Sequence, residues 1–111
     1  ESIAGREEEF LFFKDPVGNR QFIHPIVFVE FFAPGLEKLQ IIQSEPNMLI
    51  LNVIIKGNKE EAIQAIEKRM DTILRQKELY DFVRYKINVV NDIPNDPQTG
   101  KFRLIIPYPN S

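Results

Sequence analysis

At 111 residues, with 43% apolar and 27% charged side chains, the chain has room for one compact domain with its own core and little more. A net charge of -2 supplies no electrostatic footprint for nucleic acid or for an anionic membrane surface. Cysteine is absent, which removes disulfides, thiolate metal sites and cysteine nucleophiles and fits a cytoplasmic setting.

No apolar run approaches the roughly 18–20 residues of a membrane span, and no signal-peptide pattern is visible. The chain begins Glu1-Ser2-Ile3 rather than with Met, which suits a processed product or a piece excised from something longer. The segment Glu9 to Lys14 is aromatic and apolar and runs into Asp15-Pro16-Val17-Gly18-Asn19, a stretch with strong turn chemistry. Arg20 to Ile23 reads as the returning strand of a hairpin. His24-Pro25 follows, and proline suits a first helical position because its missing N–H would be unpaired there. Ile26 to Phe32 is then a short apolar helix stopped by Pro34-Gly35, with a strand as the alternative because so many of its residues are β-branched or aromatic.

Leu39 to Gln43 and Met48 to Lys56 read as two antiparallel strands around Ser44-Glu45-Pro46-Asn47. The second is almost continuously apolar, which predicts cover on both of its faces. Gly57-Asn58 ends it, and Asn58 with Glu61 has the spacing of a capping box. From Lys59 to about Leu79 the period is helical: Ala62, Ile63, Ile66, Met70, Ile73 and Leu74 form one stripe, with Glu60, Gln64, Glu67, Lys68, Asp71 and Arg75 facing water. Arg84 to Val90 is a further strand, then a polar loop from Asn91 to Gly100, then a last strand from Phe102 to Ile106. The strand–helix–strand unit from Met48 to Val90 predicts parallel strands joined by a right-handed crossover. The expected class is α+β: a small mixed β-sheet with packed helices and an amino-terminal β-hairpin, in a single domain over residues 1–111.

The residues by themselves hold little chemistry. His24 is the one histidine, and beside proline it reads as a residue that packs or starts a helix. Glu7, Glu8 and Glu9 read as a solvated approach to the first strand, not a metal site, because a strand sends adjacent side chains to opposite faces. No phosphate loop, nucleophile elbow or dinucleotide fingerprint is present. The phenylalanines at 10, 12, 13, 28, 31 and 32 read as core, with part of the set available to cover an interface. One feature is sharper: Thr99-Gly100-Lys101-Phe102-Arg103 follows the Pro-rich loop Asp92 to Pro97. Glycine permits a tight turn, and the lysine beside it offers a mobile point charge able to neutralise a phosphate or carboxylate on another surface. In composition alone such a lysine is also an ordinary solvated one.

The loop from Ile93-Pro94 to Gly100-Lys101-Phe102-Arg103 resembles the carboxy-terminal lysine motif of the adenylate-forming superfamily, which holds acyl-CoA synthetases, peptide-synthetase adenylation domains and luciferases. At the other end, Gly5-Arg6-Glu7-Glu8 resembles that family's Gly-Arg-x-Asp linker, where the small domain begins and swivels. The hairpin and His24-Pro25 are most similar to the branch of phenylacetate-CoA ligases and CapK-type capsular polysaccharide biosynthesis proteins. The likeness spans nearly the whole chain.

The resemblance implies a carboxy-terminal lid of a larger two-domain ligase, inactive when separated. The absent amino-terminal large domain would bind ATP, magnesium and the carboxylic acid; the acyl-adenylate would then pass its acyl group to a thiol such as coenzyme A. Lys101 would be the adenylation lysine, Arg6 and Gly100 would lie near the bound cofactor, Glu8 would be the hinge, and the turn around Gly18 would line the thiol's approach. No metal ligand is expected in this chain, and no nucleic acid or membrane partner. Glu8 stands where the family usually has Asp or Lys, Arg103 follows Lys101 more closely than the usual downstream arginine, and Asp15-Pro16-Val17-Gly18 replaces a Gly-centred turn. Two other readings fit the residues: a free-standing α+β ligand-binding or regulatory module, and a structural domain without catalysis.

Overall fold

The computed structural model describes residues 10–97 and 100–108. A two-stranded antiparallel hairpin comes first, β1 (Leu11–Lys14) and β2 (Arg20–Ile23), paired so that Leu11 faces Ile23 and Phe12 faces Phe22. Its turn is held by Asp15, whose Oδ1 accepts from the amides of Val17 at 3.1 Å and Asn19 at 2.7 Å. Alternation sends Leu11, Phe13 and Ile23 inward and leaves Phe12, Lys14, Arg20 and Phe22 outside.

The short helix α1 covers Ile26–Val29, three residues less than the pattern suggested. His24 starts it by accepting the Ile26 amide on Nδ1 at 3.0 Å, and Pro25 already has helical dihedrals. Only Phe28 of this helix is buried. One buried residue in four does not sustain a longer helix against Pro34.

Strands β3 (Leu36–Glu45) and β4 (Met48–Ile55) are antiparallel, with Ile41 opposite Leu51 and Gln40 opposite Asn52. The helix α2 (Lys59–Gln76) leads from β4 to β5 (Arg84–Val89), which lies parallel to β4. A two-residue β6 (Ile105–Ile106) pairs in parallel with the other side of β3, so the sheet order is β5-β4-β3-β6. The structure is α+β, with a mixed sheet and an amino-terminal hairpin, as its residues predict.

Asn58 Oδ1 accepts the Glu61 amide at 3.1 Å at the start of α2. The stripe Ala62, Ile66, Met70, Ile73 and Leu74 is buried, while Ile63 is only half-buried. The helix stops at Gln76, short of Leu79, in a paired cap: the Glu78 amide donates to Arg75 and the Leu79 amide to Leu74. Glu78 takes φ 61°, and Leu79 is buried beneath the cap instead of continuing the helix.

One cluster unites the core. Leu49, Leu51 and Val53 of β4, Leu39 and Ile41 of β3, and Ile105 pack with α2, with Leu11, Phe13 and Ile23 of the hairpin, and with Phe28. Tyr85 ties β5 to the helix by donating to Asp71 at 2.9 Å. The expectation that β4 is covered on both faces is corrected: Ile50, Asn52 and Ile54, on the side away from the core, are only half-buried. That face carries a row of amides, Gln40, Asn52 and Asn88, in strand register, and such groups need hydrogen-bond partners wherever they are buried.

Candidate functional site

Asp96 and Lys101 close the loop that resembles the lysine motif. The Asp96 amide donates to the Lys101 carbonyl at 2.8 Å, and the Gly100 amide donates to the Asp96 carbonyl at 2.7 Å. Gly100 sits at φ 73°, a backbone state in which any side chain is strained. Asn95 adds a bond from its side-chain amide to the Gly100 carbonyl at 3.2 Å, and Arg103 pairs with Asp96 at 3.6 Å. Lys101 is exposed on this turn. The expected last strand from Phe102 shrinks to Ile105–Ile106 because Phe102 and Arg103 are engaged elsewhere. The Phe102 ring lies 4.5 Å from the Lys38 ammonium, and the Arg103 carbonyl accepts from Gln40 at 3.0 Å.

Gly18 lies on a different element, the hairpin turn, at φ 96°, with its amide donating to the Asp15 carbonyl at 2.9 Å. Val17 beside it is 80% exposed, so the turn projects from the domain. The hairpin's outer surface is aromatic: Phe10 stacks near Phe12 and meets His24 edge-on at 4.7 Å, and the Arg20 guanidinium sits 4.1 Å over the Phe12 ring. Lys14 and Arg20 are register partners at the turn end of this surface. Together with Phe10, Phe12, Pro107 and Tyr108 they line an open cleft of about 430 Å³. The phenylalanine set therefore divides: Phe13 and Phe28 are core, Phe10 and Phe31 are half-buried, and Phe12 and Phe32 are exposed. Arg6 and Glu8 lie outside the described residues.

The two regions share an anchor strand. Gln40 holds the Lys101 loop, and Gln43, three residues on in β3, donates to the Phe12 carbonyl of the hairpin and to the Pro46 carbonyl, both at 2.8 Å. The Tyr108 amide donates back to Gln43 Oε1 at 3.1 Å. Neither glutamine stands out in a strand read for its apolar pattern. The available signal was an amide interrupting an apolar run at in-register positions, as Gln40 and Asn52 do.

Among the described residues there is no group of three or more His, Cys, Asp or Glu able to hold a metal ion. Among the same described residues, no helix is long and apolar enough to cross a membrane.

A small mixed sheet with one crossover helix, a projecting hairpin beside an open cleft, and an exposed lysine on a glycine turn define a small α+β domain. The chain belongs to the CapK C-terminal domain family, which it matches over residues 17–107. A carboxy-terminal domain implies an amino-terminal partner domain in the same polypeptide. No curated protein and no solved structure gives a significant match.

Proposed function

We propose that the chain is the lid of an ATP-dependent carboxylic acid ligase, with Lys101 as the adenylation cation. The observation that carries this reading is an exposed lysine on a glycine turn in a domain of the CapK carboxy-terminal family. An amino-terminal large domain holds ATP, magnesium and the acid. A carboxylate oxygen attacks the α-phosphorus, the bond to the β-phosphate bridging oxygen breaks, and pyrophosphate leaves. Two anions meet in this step and charge builds on the transferring oxygens, so a placed ammonium lowers the barrier. A thiol sulfur then attacks the acyl carbonyl, loses its proton, and expels AMP.

A lid that serves both steps needs two working surfaces. Residues 40 and 43 are an odd number apart in one strand, so the anchors of the Lys101 loop and of the hairpin project from opposite faces of β3. Rotation of the domain about a hinge at Glu8, with Arg6 beside the nucleotide, exchanges one surface for the other. At the hairpin, the paired Lys14 and Arg20 suit the phosphates of a thiol such as coenzyme A, with Gly18 at the turn. A cytoplasmic setting and a role in capsular polysaccharide biosynthesis belong to the same proposal.

The test uses the full-length protein. Lys101→Ala abolishes most adenylate formation, measured as acid-dependent exchange of pyrophosphate into ATP, and spares acyl transfer from preformed adenylate. Equal loss of the two half-reactions removes Lys101 from this role.

The cleft lined by Phe10, Phe12, Lys14 and Arg20 favours a second reading, a ligand-binding module without catalysis. Calorimetric titration of the chain with nucleotides and amino acids separates the two, since saturable binding by the separated domain supports the module.

A further inference from the structure

Between the last sheet bond of β5, from the Val90 amide to Val53, and the bond from the Ile41 amide to Leu104, the chain leaves the sheet and carries Lys101. Its two ends are held from β3. Lys38 donates Nζ to the Ile93 carbonyl at 3.3 Å and rests over the Phe102 ring, while Gln40 donates to the Arg103 carbonyl at 3.0 Å. Gln40 is itself aimed. Asn88 Nδ2 donates to Asn52 Oδ1 at 3.0 Å, and Asn52 Nδ2 donates to Gln40 Oε1 at 3.5 Å. All three amides donate in one direction, from β5 towards β3, so the row leaves the Gln40 N–H pointing at the loop. The Arg103 carbonyl can only accept, so it sets the Gln40 amide, and the row of amides behind it runs in the same direction.

We infer that Lys38 and Gln40 are positioning residues for Lys101, gripping the two ends of its loop from the side of the sheet that the core leaves open; the inference rests on the reading of Lys101 given above. Both side chains spend their donors on backbone carbonyls of the loop itself. Their effect is on where the ammonium stands, and reacting groups displaced by about 1 Å lose on the order of a hundredfold in rate. Lys38 grips the loop where it leaves β5, and Gln40 grips it where it returns to pair with β3. The Asp96–Lys101 bond and the Asp96–Arg103 ion pair tie Lys101 and its neighbours to Asp96, between those two held ends.

The experiment compares Gln40→Leu, Lys38→Met and Lys38→Arg with Lys101→Met in the full-length protein. Adenylate formation, acyl transfer from preformed adenylate, and hydrogen exchange at the Asp96 and Gly100 amides are measured for each. Gln40→Leu and Lys38→Met are each expected to lower kcat for adenylate formation roughly fivefold to tenfold, the size of one net hydrogen bond. KM values for acid and ATP stay within about twofold, because ground-state binding is untouched. Acyl transfer is unchanged, and exchange at the two loop amides accelerates while that of α2 does not. Lys38→Arg, which keeps a donor and a cation over the ring, restores the wild-type values. Unchanged loop exchange in both Gln40→Leu and Lys38→Met overturns the inference, whatever Lys101→Met does. Wild-type adenylate formation in both variants overturns it equally when Lys101→Met is disabling. A silent Lys101→Met variant instead brings down the proposed function, and loop exchange alone then decides whether Lys38 and Gln40 hold the loop.

Discussion

Gln40 and Gln43 leave β3 on opposite faces, one donating to the Arg103 carbonyl at 3.0 Å and the other to the Phe12 carbonyl at 2.8 Å. One strand thereby fixes both of the domain's projecting parts, the lysine loop and the aromatic hairpin. Each glutamine is buried and each spends its amide on backbone groups of a distant segment. That use of a buried amide is costly to undo, because the partner groups are left without a bond.

Gln43→Leu is therefore expected to destabilise the chain by about 2–3 kcal/mol, since the Phe12 and Pro46 carbonyls and the Tyr108 amide all lose their partner. Urea unfolding reads this as a lower midpoint at unchanged slope. A midpoint within error of wild type means that water replaces the glutamine without loss.

Glu78 closes α2 with φ 61°, the position where helices favour glycine. Relieving that backbone strain outweighs the added freedom of a glycine in the unfolded chain. Glu78→Gly should raise stability by about 0.5–1 kcal/mol. Thermal unfolding checks it; a lower melting temperature contradicts the cap as described.

Gly35 takes φ 84°, and a Cβ built there meets the Lys56 carbonyl oxygen at 2.9 Å, whereas at Gly100 the same atom meets nothing within 4 Å. Gly35→Ala combines backbone strain with a clash against a fixed main chain and should cost about 2–3 kcal/mol. Gly100→Ala, with strain alone, should cost about 1–2 kcal/mol. Reversal of that order in parallel urea titrations contradicts the close packing of the turn before β3 against the end of β4.

Burial, then the hydrogen bond to Asp71, pushes the Tyr85 hydroxyl well above the ordinary tyrosine range. The folded state favours the neutral phenol, so its contribution is fully present below the unfolded value of about 10 and is lost as pH rises above it towards the folded value. Tyr85→Phe should lower stability by about 1 kcal/mol at neutral pH. The gap between wild type and variant should shrink from about pH 10 upward. A gap that stays constant through alkaline pH shows that the hydroxyl titrates alike in both states.

Much of the fold was legible in local pattern. Alternation in Leu11 to Phe13, the helical stripe from Ala62 to Leu74, and the turn residues Asp15 and Gly18 each report one element's own environment. Element ends were less legible. Leu79 continues the helical period yet belongs to the cap, and Phe102 reads as strand yet lies beside the Lys38 ammonium. At the site, Gly100 and Lys101 were readable because a turn needs its glycine within the turn. Gln40, Asn52 and Asn88 were not, since their meaning lies in pairings between strands far apart in sequence.

By itself the sequence determined the α+β class, the hairpin, the helix and the lysine on its turn, because each follows from side-chain period or backbone preference over a few neighbours. Only the tertiary structure decided that β6 lies beside β3, that the sheet is covered on one face, and that the amides of β5, β4 and β3 line up towards the Lys101 loop. Those outcomes depend on strand order and register, which are settled by packing the whole core at once and leave almost no mark on any single stretch of chain.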